Sequence, residues 1–333
     1  MPSSSDRSVS LGVVGLGWWG GVLASAAKTT GVIEIARCFA RSGQARDAFA
    51  TEHGCTPAAS LDELLGSDVD GVVIATPHTT HADLVVAAAR AGKHVFVDKP
   101  LTMTVAEADR AIDATNDAGV VLQVGHNRRR QPANRRIKQA LDDGELGELL
   151  AVTSTHAAPL LFNPNLAPWR RALAESPVGG MAALGIHQID NFHFLAGSIA
   201  AVLADSTRLL PEGEVDDTTM ISLQFEKGAL GHLFTSMATG PAVELTAFGT
   251  GAIARNTGDG ARLTLQSRGS TEQTEFSLDP FDTVADQLSE FAAAIRGEIQ
   301  PETDGIEARR AVAVLEAIVE SAGTERWVEV VYP

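Results

Sequence analysis

Short apolar runs alternate with amphipathic helical patterns along the first 125 or so residues. The strand-like runs cover residues 10–15, 32–40, 69–76, 93–100 and 120–127. A period near 3.6 between them predicts helices over residues 19–29, 44–52, 61–66, 80–92 and 104–119. Strands separated by helices of this length form parallel sheets with right-handed crossovers. The continuous apolar run at 72–74 fits a strand that is buried on both faces. This part of the chain is therefore predicted to be a doubly wound, Rossmann-type α/β domain.

The pattern changes after residue 127. Consecutive strand-like runs with short turns between them predict a large, mostly antiparallel open sheet. These runs cover residues 148–158, 201–209, 218–226, 229–237, 242–250, 262–267 and 273–278. Helices are predicted over 132–142, 181–195, 283–296 and 305–322. The fold class is therefore α/β, with a Rossmann domain at 1–127 and an α+β domain at 128–333. A ligand cleft is expected beyond the carboxyl ends of the parallel strands.

Length, charge and cysteine content narrow the function classes. A chain of 333 residues fits about two domains. Its net charge of −16 opposes binding to nucleic acid phosphates or to anionic membranes. Two cysteines, Cys38 and Cys55, are too few for a disulfide framework or a zinc site. The polar N-terminus does not resemble a signal peptide, and no apolar run reaches the ~18 residues of a membrane span. These features predict a cytoplasmic protein with no nucleic acid or membrane partner.

A glycine-rich turn follows the first predicted strand and opens the first helix. Gly15, Gly17 and Gly20 complete a GxGxxG pattern, in which they allow a tight turn, a close approach of pyrophosphate and close helix–strand packing, respectively. The helix N-terminus then offers N–H groups to the phosphates. Trp18 and Trp19 fill the free positions beside the predicted cofactor. Trp18 is expected to overhang the nicotinamide and line the substrate site, whereas core packing is favoured for Trp19.

The residues after the second strand bear on the choice of nucleotide. NAD-binding proteins carry an acidic residue about 20 positions past the glycines, but Ala40 stands there, and Glu34 lies earlier, within the strand. Arg41 and Ser42 follow, with Arg46 one turn later. A guanidinium binds phosphate through two hydrogen bonds and therefore suits a 2′-phosphate. We predict that NADP is the preferred cofactor and that NAD is possible; the alternative is that Arg41 only faces solvent.

Several ordered motifs together resemble one family of proteins. They are VVGLGWWG, IATPHTTHADLVVAAARAGKHVFVDKPLTMTVAEA, VGHNRRR, WRR and GGMAALGIHQID. Over nearly its whole length the chain is similar to the glucose–fructose oxidoreductase, inositol dehydrogenase and rhizopine catabolism (Gfo/Idh/MocA) family. The resemblance implies an NAD(P)-dependent oxidoreductase acting on sugars, cyclitols or related polyols. It also implies a homodimer or homotetramer formed through the C-terminal sheet.

The resemblance also assigns catalytic roles. Lys99 matches the family's catalytic lysine in a Glu-Lys-Pro motif, in which Asp98 replaces the usual glutamate. His187 matches the family's active-site histidine, with Asp190 three residues further on. Ala183 departs from the pattern, because many members carry an aspartate at that position. Polyol specificity therefore does not follow from members that have the aspartate.

Contacts to small molecules are implied for two further groups of residues. Those expected at the cofactor are Thr76, Pro77, His78, His81, Asp98, Lys99, Asn127, Arg128 and Arg170. Those expected at the substrate are Trp18, Lys99, His126, Phe162, Asn163, Asn165, Trp169 and His187. The substrate group includes a predicted specificity region over residues 156–169.

The chemistry of alcohol oxidation accounts for these residue types. A proton must leave the oxygen as hydride leaves the carbon, and a positioned amine or imidazole can take it. Lys99 ends a parallel strand, where such sheets place ligands. We expect His187 and Lys99 to relay the proton, with Asp190 at i+3 orienting the imidazole. His193 lies six residues beyond His187 and faces away, so no metal site is expected there.

Two alternatives remain open at this stage. The substrate could be a dihydrodiol or an aromatic semialdehyde instead of a sugar-like compound. The chain could also bind the dinucleotide as a sensor or regulator without chemistry, although the presence of both Lys99 and His187 argues against this.

Overall fold

A computed structural model describes residues 8–210 and 214–332. Residues 1–7, most of the polar N-terminus considered above, lie outside the described residues. The contacts divide the chain into two compact units, and residues 282–309 belong with 8–126 in the first unit. The second unit comprises the described residues from 127 to 281 and from 310 to 332. The single boundary at residue 127 stays a prediction.

A six-stranded parallel sheet forms the centre of the first unit. Its strands are β1 (Val9–Val14), β2 (Ile33–Phe39), β3 (Thr56–Pro57), β4 (Gly71–Ile74), β5 (His94–Val97) and β6 (Leu122–Val124). They lie in the order β3-β2-β1-β4-β5-β6, so the order reverses between β1 and β4. This is the Rossmann arrangement, which confirms the predicted fold class. The two-residue strand β3 was not predicted.

Helices connect these strands, and several begin at residues that favour a helix start. They are α1 (Trp18–Thr30), α2 (Gly43–His53), α3 (Leu61–Leu65), α4 (His81–Arg90) and α5 (Val105–Ala118). The side-chain oxygens of Ser42, Ser60 and Thr104 accept hydrogen bonds from backbone N–H groups of the first turns of α2, α3 and α5. Such caps satisfy N–H groups that the helix itself leaves without partners.

The second unit contains a nine-stranded sheet. Its strands are β7 (Leu149–Ala157), β8 (Ile199–Thr207), β9 (Thr218–Phe225), β10 (Leu230–Ser236), β11 (Ala242–Gly249), β12 (Ala252–Thr257), β13 (Arg262–Ser267), β14 (Thr274–Phe276) and β15 (Val328–Glu329). Their order is β14-β13-β12-β11-β7-β10-β9-β8-β15. Strands β7 and β10 run parallel, and the other described pairs are antiparallel. The mostly antiparallel sheet is confirmed, whereas β12 and β15 were not predicted.

Four further α-helices lie within the described residues. They are α6 (Pro132–Asp142), α7 (Ile186–Ala196), α8 (Thr283–Ile295) and α9 (Gly305–Thr324). A π-helical turn, Met181–Gly185, leads into α7, whose residues are almost all buried. Helix α8 packs in the first unit, where Phe291 meets Phe96 of β5 with ring centroids 5.8 Å apart. Within residues 8–210 and 214–332, no helix combines the length and apolar character needed to cross a bilayer.

Candidate active site

The turn between β1 and α1 has room for a phosphate group. Gly15 has φ +97°, and a Cβ there would lie 2.4 Å from the carbonyl oxygen of Ala75. A Cβ at Gly20 would lie 2.1 Å from the carbonyl oxygen of Gly15. Gly17 differs, because a Cβ there would meet no atom within 4 Å. The backbone at the start of α1 therefore faces open space, which fits the approach of a dinucleotide pyrophosphate.

The two tryptophans of this turn differ in burial. Trp18, the first residue of α1, is 78% exposed. Trp19 is half-buried and packs against the apolar core of the first unit. The two ring centroids lie 5.5 Å apart, and the planes are tilted by 45°. The burial of Trp19 agrees with the expected packing role, while Trp18 presents its indole to solvent beside the glycine turn.

The carboxyl ends of β4 and β5 bring further predicted residues to the same edge of the sheet. Thr76 and Pro77 lie two and three residues after the end of β4, and Asp98 and Lys99 follow β5. Lys99 is 8% exposed. Because β1, β4 and β5 are adjacent in a parallel sheet, the glycine turn, the Thr76 segment and Lys99 all lie at the edge where strand order reverses.

The imidazole of His81 joins two of these segments. Nδ1 lies 2.9 Å from the carbonyl oxygen of Pro100, and Nε2 lies 3.1 Å from the carbonyl oxygen of Thr76. The residue is fully buried. His78, also buried, places its ring edge-on to that of His81 at 5.9 Å. Both ring nitrogens thus face backbone carbonyl groups, and the predicted contact of His81 with the cofactor stays a prediction.

The loop after β2 carries the residues predicted to select NADP. Arg46 Nη1 donates to the carbonyl oxygen of Ala40 at 2.8 Å, and its guanidinium lies 6.0 Å from the ring centroid of Phe39. Ser42 is exposed and caps α2. Arg41 is exposed. In this structure Arg46 shapes the loop, and Arg41 presents its guanidinium to solvent.

In the second unit, the predicted catalytic histidine is part of a pair. His187 lies in the first turn of α7, and its ring centroid is 5.7 Å from that of His156 on β7, with the planes tilted by 30°. Both residues are buried. Gln188 Nε2 lies 3.3 Å from His156 Nδ1. The sequence placed His156 only at the start of the predicted specificity region and did not point to Gln188, because nothing local in either segment signals that β7 and α7 pack together.

The carboxylate of Asp190 is engaged by an arginine. Arg129 Nε donates to Oδ2 at 2.9 Å, and Nη2 donates to Oδ1 at 2.5 Å. The guanidinium of Arg129 also lies 5.5 Å from the ring centroid of Phe194. Arg129 was not predicted as a site residue. The predicted role of Asp190 in orienting His187 stays a prediction, since the structure gives both carboxylate oxygens to Arg129.

A 3₁₀ turn, Asn127–Arg130, carries two predicted cofactor residues. Arg128 forms an ion pair with Asp259, and its carbonyl oxygen accepts a hydrogen bond from Asn134 Nδ2 at 2.9 Å. Burial lowers the pKa of Arg128 to about 10, which leaves the guanidinium cationic at neutral pH. His126, the last residue of this part of the first unit, is buried.

The predicted substrate residues between 162 and 169 are exposed or half-buried. Phe162 is 61% exposed, Asn163 and Asn165 are exposed, and Trp169 is half-buried. The guanidinium of Arg170 lies 4.3 Å from the ring centroid of Trp169. Arg170, predicted to contact the cofactor, therefore stacks on a predicted substrate residue.

Ala183, the departure from the family pattern, lies in the π-helical turn before α7. It is buried in an apolar cluster that includes Leu161, Leu184 and Met237. The position at which the family pattern implies an aspartate is therefore part of a buried apolar cluster in this chain.

Comparisons with known proteins agree with this architecture. Residues 9–126 match a family model described as an oxidoreductase family with an NAD-binding Rossmann fold, and residues 134–255 match the GFO/IDH/MocA C-terminal domain. The chain is 30% identical to 1,5-anhydro-D-fructose reductase of Ensifer adhaerens, over 89% of this chain and 91% of the relative. It is 29% identical to inositol 2-dehydrogenase of Rhizobium meliloti, over 97% of this chain and 99% of the relative.

A solved structure shares the fold throughout. The WlbA dehydrogenase from Bordetella pertussis, in complex with NADH and UDP-GlcNAcA, superposes with a TM-score of 0.88 and is 25% identical. The match covers 98% of this chain and 99% of that one.

Proposed function

The chain belongs to the GFO/IDH/MocA family of NAD(P)-binding oxidoreductases, and on this premise we propose that it reduces or oxidises a sugar, a cyclitol or a related polyhydroxy compound. The reductase and the dehydrogenase among its relatives act on an anhydro sugar and a cyclitol, according to their names. The observation that carries the proposal is the position of Lys99, buried at the end of β5, on the sheet edge that also holds the glycine turn.

When bound, the nicotinamide accepts or supplies the hydride. The chain's own residues hold the nucleotide and handle the proton. The open backbone at Gly17 and the start of α1 suit the pyrophosphate. The Lys99 ammonium hydrogen-bonds the reacting oxygen and stabilises negative charge that develops there. We also propose His187 as an acid–base residue, with Asp190 acting on it.

We propose NADP as the preferred nucleotide. The support is the loop after β2, where Arg41 and Ser42 are exposed and no carboxylate occupies the position that binds the ribose hydroxyls in NAD-dependent enzymes. Arg41 is the residue proposed to bind the 2′-phosphate, because Arg46 already donates to a backbone carbonyl of the loop.

Self-association through the nine-stranded sheet is also a proposal. Residues of β9 alternate between buried and exposed, and Met220 on the exposed side is 52% accessible. An exposed apolar side chain on an open sheet face is suited to pairing with a second copy. Light scattering coupled to size-exclusion chromatography tests this, and a monomer at micromolar concentration would reject it.

A substrate panel read at 340 nm tests the enzymatic proposal. The panel contains aldoses, ketoses, anhydro sugars, cyclitols, aromatic dihydrodiols and aromatic semialdehydes, each with NADP or NAD in the appropriate redox state. We expect turnover of a sugar or cyclitol with NADP. Turnover of the aromatic compounds alone would show that the substrate is a dihydrodiol or an aromatic semialdehyde instead of a sugar or cyclitol. Nucleotide binding without turnover of any compound would favour a sensor.

A lysine substitution tests the catalytic assignment. Removing a positioned proton-transfer group lowers turnover by roughly 10²–10⁴-fold. We expect this loss for Lys99→Ala, with folding unchanged. Lys28→Ala, which removes an exposed lysine from the last turn of α1, is the matched control and should retain wild-type turnover.

A further inference from the structure

We propose that His81 is a positioning residue that holds the Lys99 turn and the Thr76 segment at a fixed separation. This inference rests on the proposed function, because it takes Lys99 as the group that handles the proton. The proposed role needs no contact between His81 and either reactant. Its imidazole acts through the backbone on both sides.

The contacts place the ring between the ends of two neighbouring strands. Strands β4 and β5 are paired up to Ile74 and Val97. Just beyond these residues, His81 Nε2 faces the carbonyl oxygen of Thr76 at 3.1 Å, and Nδ1 faces that of Pro100 at 2.9 Å. The imidazole thus continues the connection between the two strands after their own hydrogen bonds have ended.

The chemistry of the ring makes this connection rigid. The two nitrogens occupy fixed positions in one planar ring, so bonds to both carbonyls set the separation of the two segments. Each ring nitrogen lies within hydrogen-bond distance of one carbonyl oxygen, and an imidazole N–H donates to such an acceptor. Losing a donor to a buried carbonyl such as that of Pro100 is costly.

Each bond has a separate consequence. The Pro100 carbonyl belongs to the residue after Lys99, so this bond aims the ammonium. A displacement of about 1 Å in a reacting group can lower the rate by about 10²-fold. The Thr76 carbonyl lies in the segment expected beneath the cofactor, so the second bond governs nucleotide affinity. The two bonds therefore predict effects on different kinetic constants.

Two amide substitutions separate the bonds. The amide nitrogen of asparagine takes the place of Nδ1, and that of glutamine takes the place of Nε2. His81→Asn should keep kcat near the wild-type value and raise the Kd for NADP by about tenfold, as expected for one lost hydrogen bond. His81→Gln should keep the Kd for NADP and lower kcat by about 10²-fold through misplacement of Lys99. His81→Leu should show both changes.

Cofactor Kd is measured by quenching of tryptophan fluorescence without substrate, and kcat at saturating concentrations of both reactants. Circular dichroism at the assay temperature establishes that each variant is folded. The matched control is His94→Asn at the opposite end of β5, where His94 Nδ1 accepts a hydrogen bond from the Val121 N–H at 3.0 Å. This variant should match the wild-type protein in both constants.

The proposal is supported if His81→Asn changes only the Kd for NADP and His81→Gln changes only kcat. The proposal is overturned if both variants change the same constants. It is also overturned if His81→Leu has the wild-type kcat and Kd for NADP, or if either amide variant has both wild-type values. Failure of the proposed function gives a different result, because the wild-type protein then turns over no sugar or cyclitol. The comparison of NADP Kd values still decides the bond to Thr76 in that case.

Discussion

Arg129 and Asp190 form a buried ion pair with two hydrogen bonds, and their side chains are only 4% and 2% exposed. The pair joins the 3₁₀ turn Asn127–Arg130 to helix α7, three residues after His187. The turn carries predicted cofactor residues and the helix carries the predicted catalytic histidine. A carboxylate expected to orient an imidazole therefore also anchors the helix on which that imidazole stands.

The first prediction concerns the stability of this pair. Removing one partner of a buried ion pair leaves the other charge uncompensated, at a cost of about 3–5 kcal/mol. Asp190→Ala should lower the free energy of unfolding by this amount, measured by urea denaturation at pH 7. Glu145→Ala, which removes the partner of Arg136 in a partly exposed pair, should cost about 0–1 kcal/mol. Equal losses in the two variants would contradict the prediction.

The local elements of the fold were predictable because their signals are local. Helix α5 was expected over residues 104–119 and spans Val105–Ala118, with Thr104 capping it. Strand β12 was missed for an equally local reason. Its buried positions include Asn256, which donates to Asn134 Oδ1 at 2.8 Å. A polar residue satisfied inside the protein interrupts the apolar alternation by which a strand is recognised.

Long-range relationships were not predictable from the sequence. The parallel pairing of β7 with β10 and the packing of His156 beside His187 both join distant segments. The same limit applies to Asp190. Its partner Arg129 comes from another element, and the two charge-assisted hydrogen bonds between them carry no local sequence signal. The GxGxxG and Lys99 positions were predictable because strand ends in a parallel sheet meet at one edge.

The second prediction concerns Ala183. Because this residue lies in an apolar cluster, a carboxylate placed there would be moved from water into apolar surroundings. Ala183→Asp should lower the free energy of unfolding by about 1–3 kcal/mol, and it should not raise turnover of any sugar in the panel. Ala183→Ser, a smaller polar change, should cost less. A gain in turnover with cyclitols after Ala183→Asp would show that the pocket accepts the carboxylate found in relatives.

The third prediction concerns thiol reactivity. Burial, together with the hydrogen bond and charge of the neighbouring Cys55 thiol, raises the pKa of Cys38 to about 12. At pH 8 only about one part in 10⁴ of this thiol is thiolate, the reactive form. Iodoacetamide should therefore label Cys55 in the native protein and leave Cys38 unmodified, as measured by peptide mass spectrometry. In urea both should react, and labelling of Cys38 in the native protein at the rate of Cys55 would contradict this.

The fourth prediction concerns stability in acid. Burial opposes ionisation of Asp217, but hydrogen bonds from the Leu210 N–H, the Thr218 hydroxyl and the Leu209 N–H outweigh it. The pKa of Asp217 therefore lies below its ordinary value of 3.8. A carboxyl with a depressed pKa stabilises the fold above its unfolded-state pKa, and this contribution is lost as the pH falls through the folded-state value.

Asp217→Asn should accordingly unfold at lower urea concentration than the wild-type protein at pH 7. The difference should persist down to the ordinary pKa of 3.8 and shrink below it. Asp279→Asn, at an exposed position, is the control and should follow the wild-type curve at every pH. The difference in urea midpoint between Asp217→Asn and the wild-type protein could instead stay constant from pH 7 to pH 3. Ionisation of Asp217 would then not be the cause of the difference.

The fifth prediction concerns nucleotide choice and separates the two arginines of the loop after β2. A hydrogen bond to a charged group contributes about 1.5–3 kcal/mol, which corresponds to roughly 10–100-fold in binding. Arg41→Ala should lower kcat/KM for NADP by this factor and leave kcat/KM for NAD within about threefold, because NAD lacks the 2′-phosphate. Arg46→Ala should weaken the binding of both nucleotides, since its hydrogen bond to Ala40 shapes the loop that both occupy.

Arg90→Ala removes an exposed arginine at the end of α4 and is the control. Equal losses for NADP and NAD in Arg41→Ala would mean that Arg41 does not discriminate between them, and the proposed preference for NADP would then have no side chain to support it.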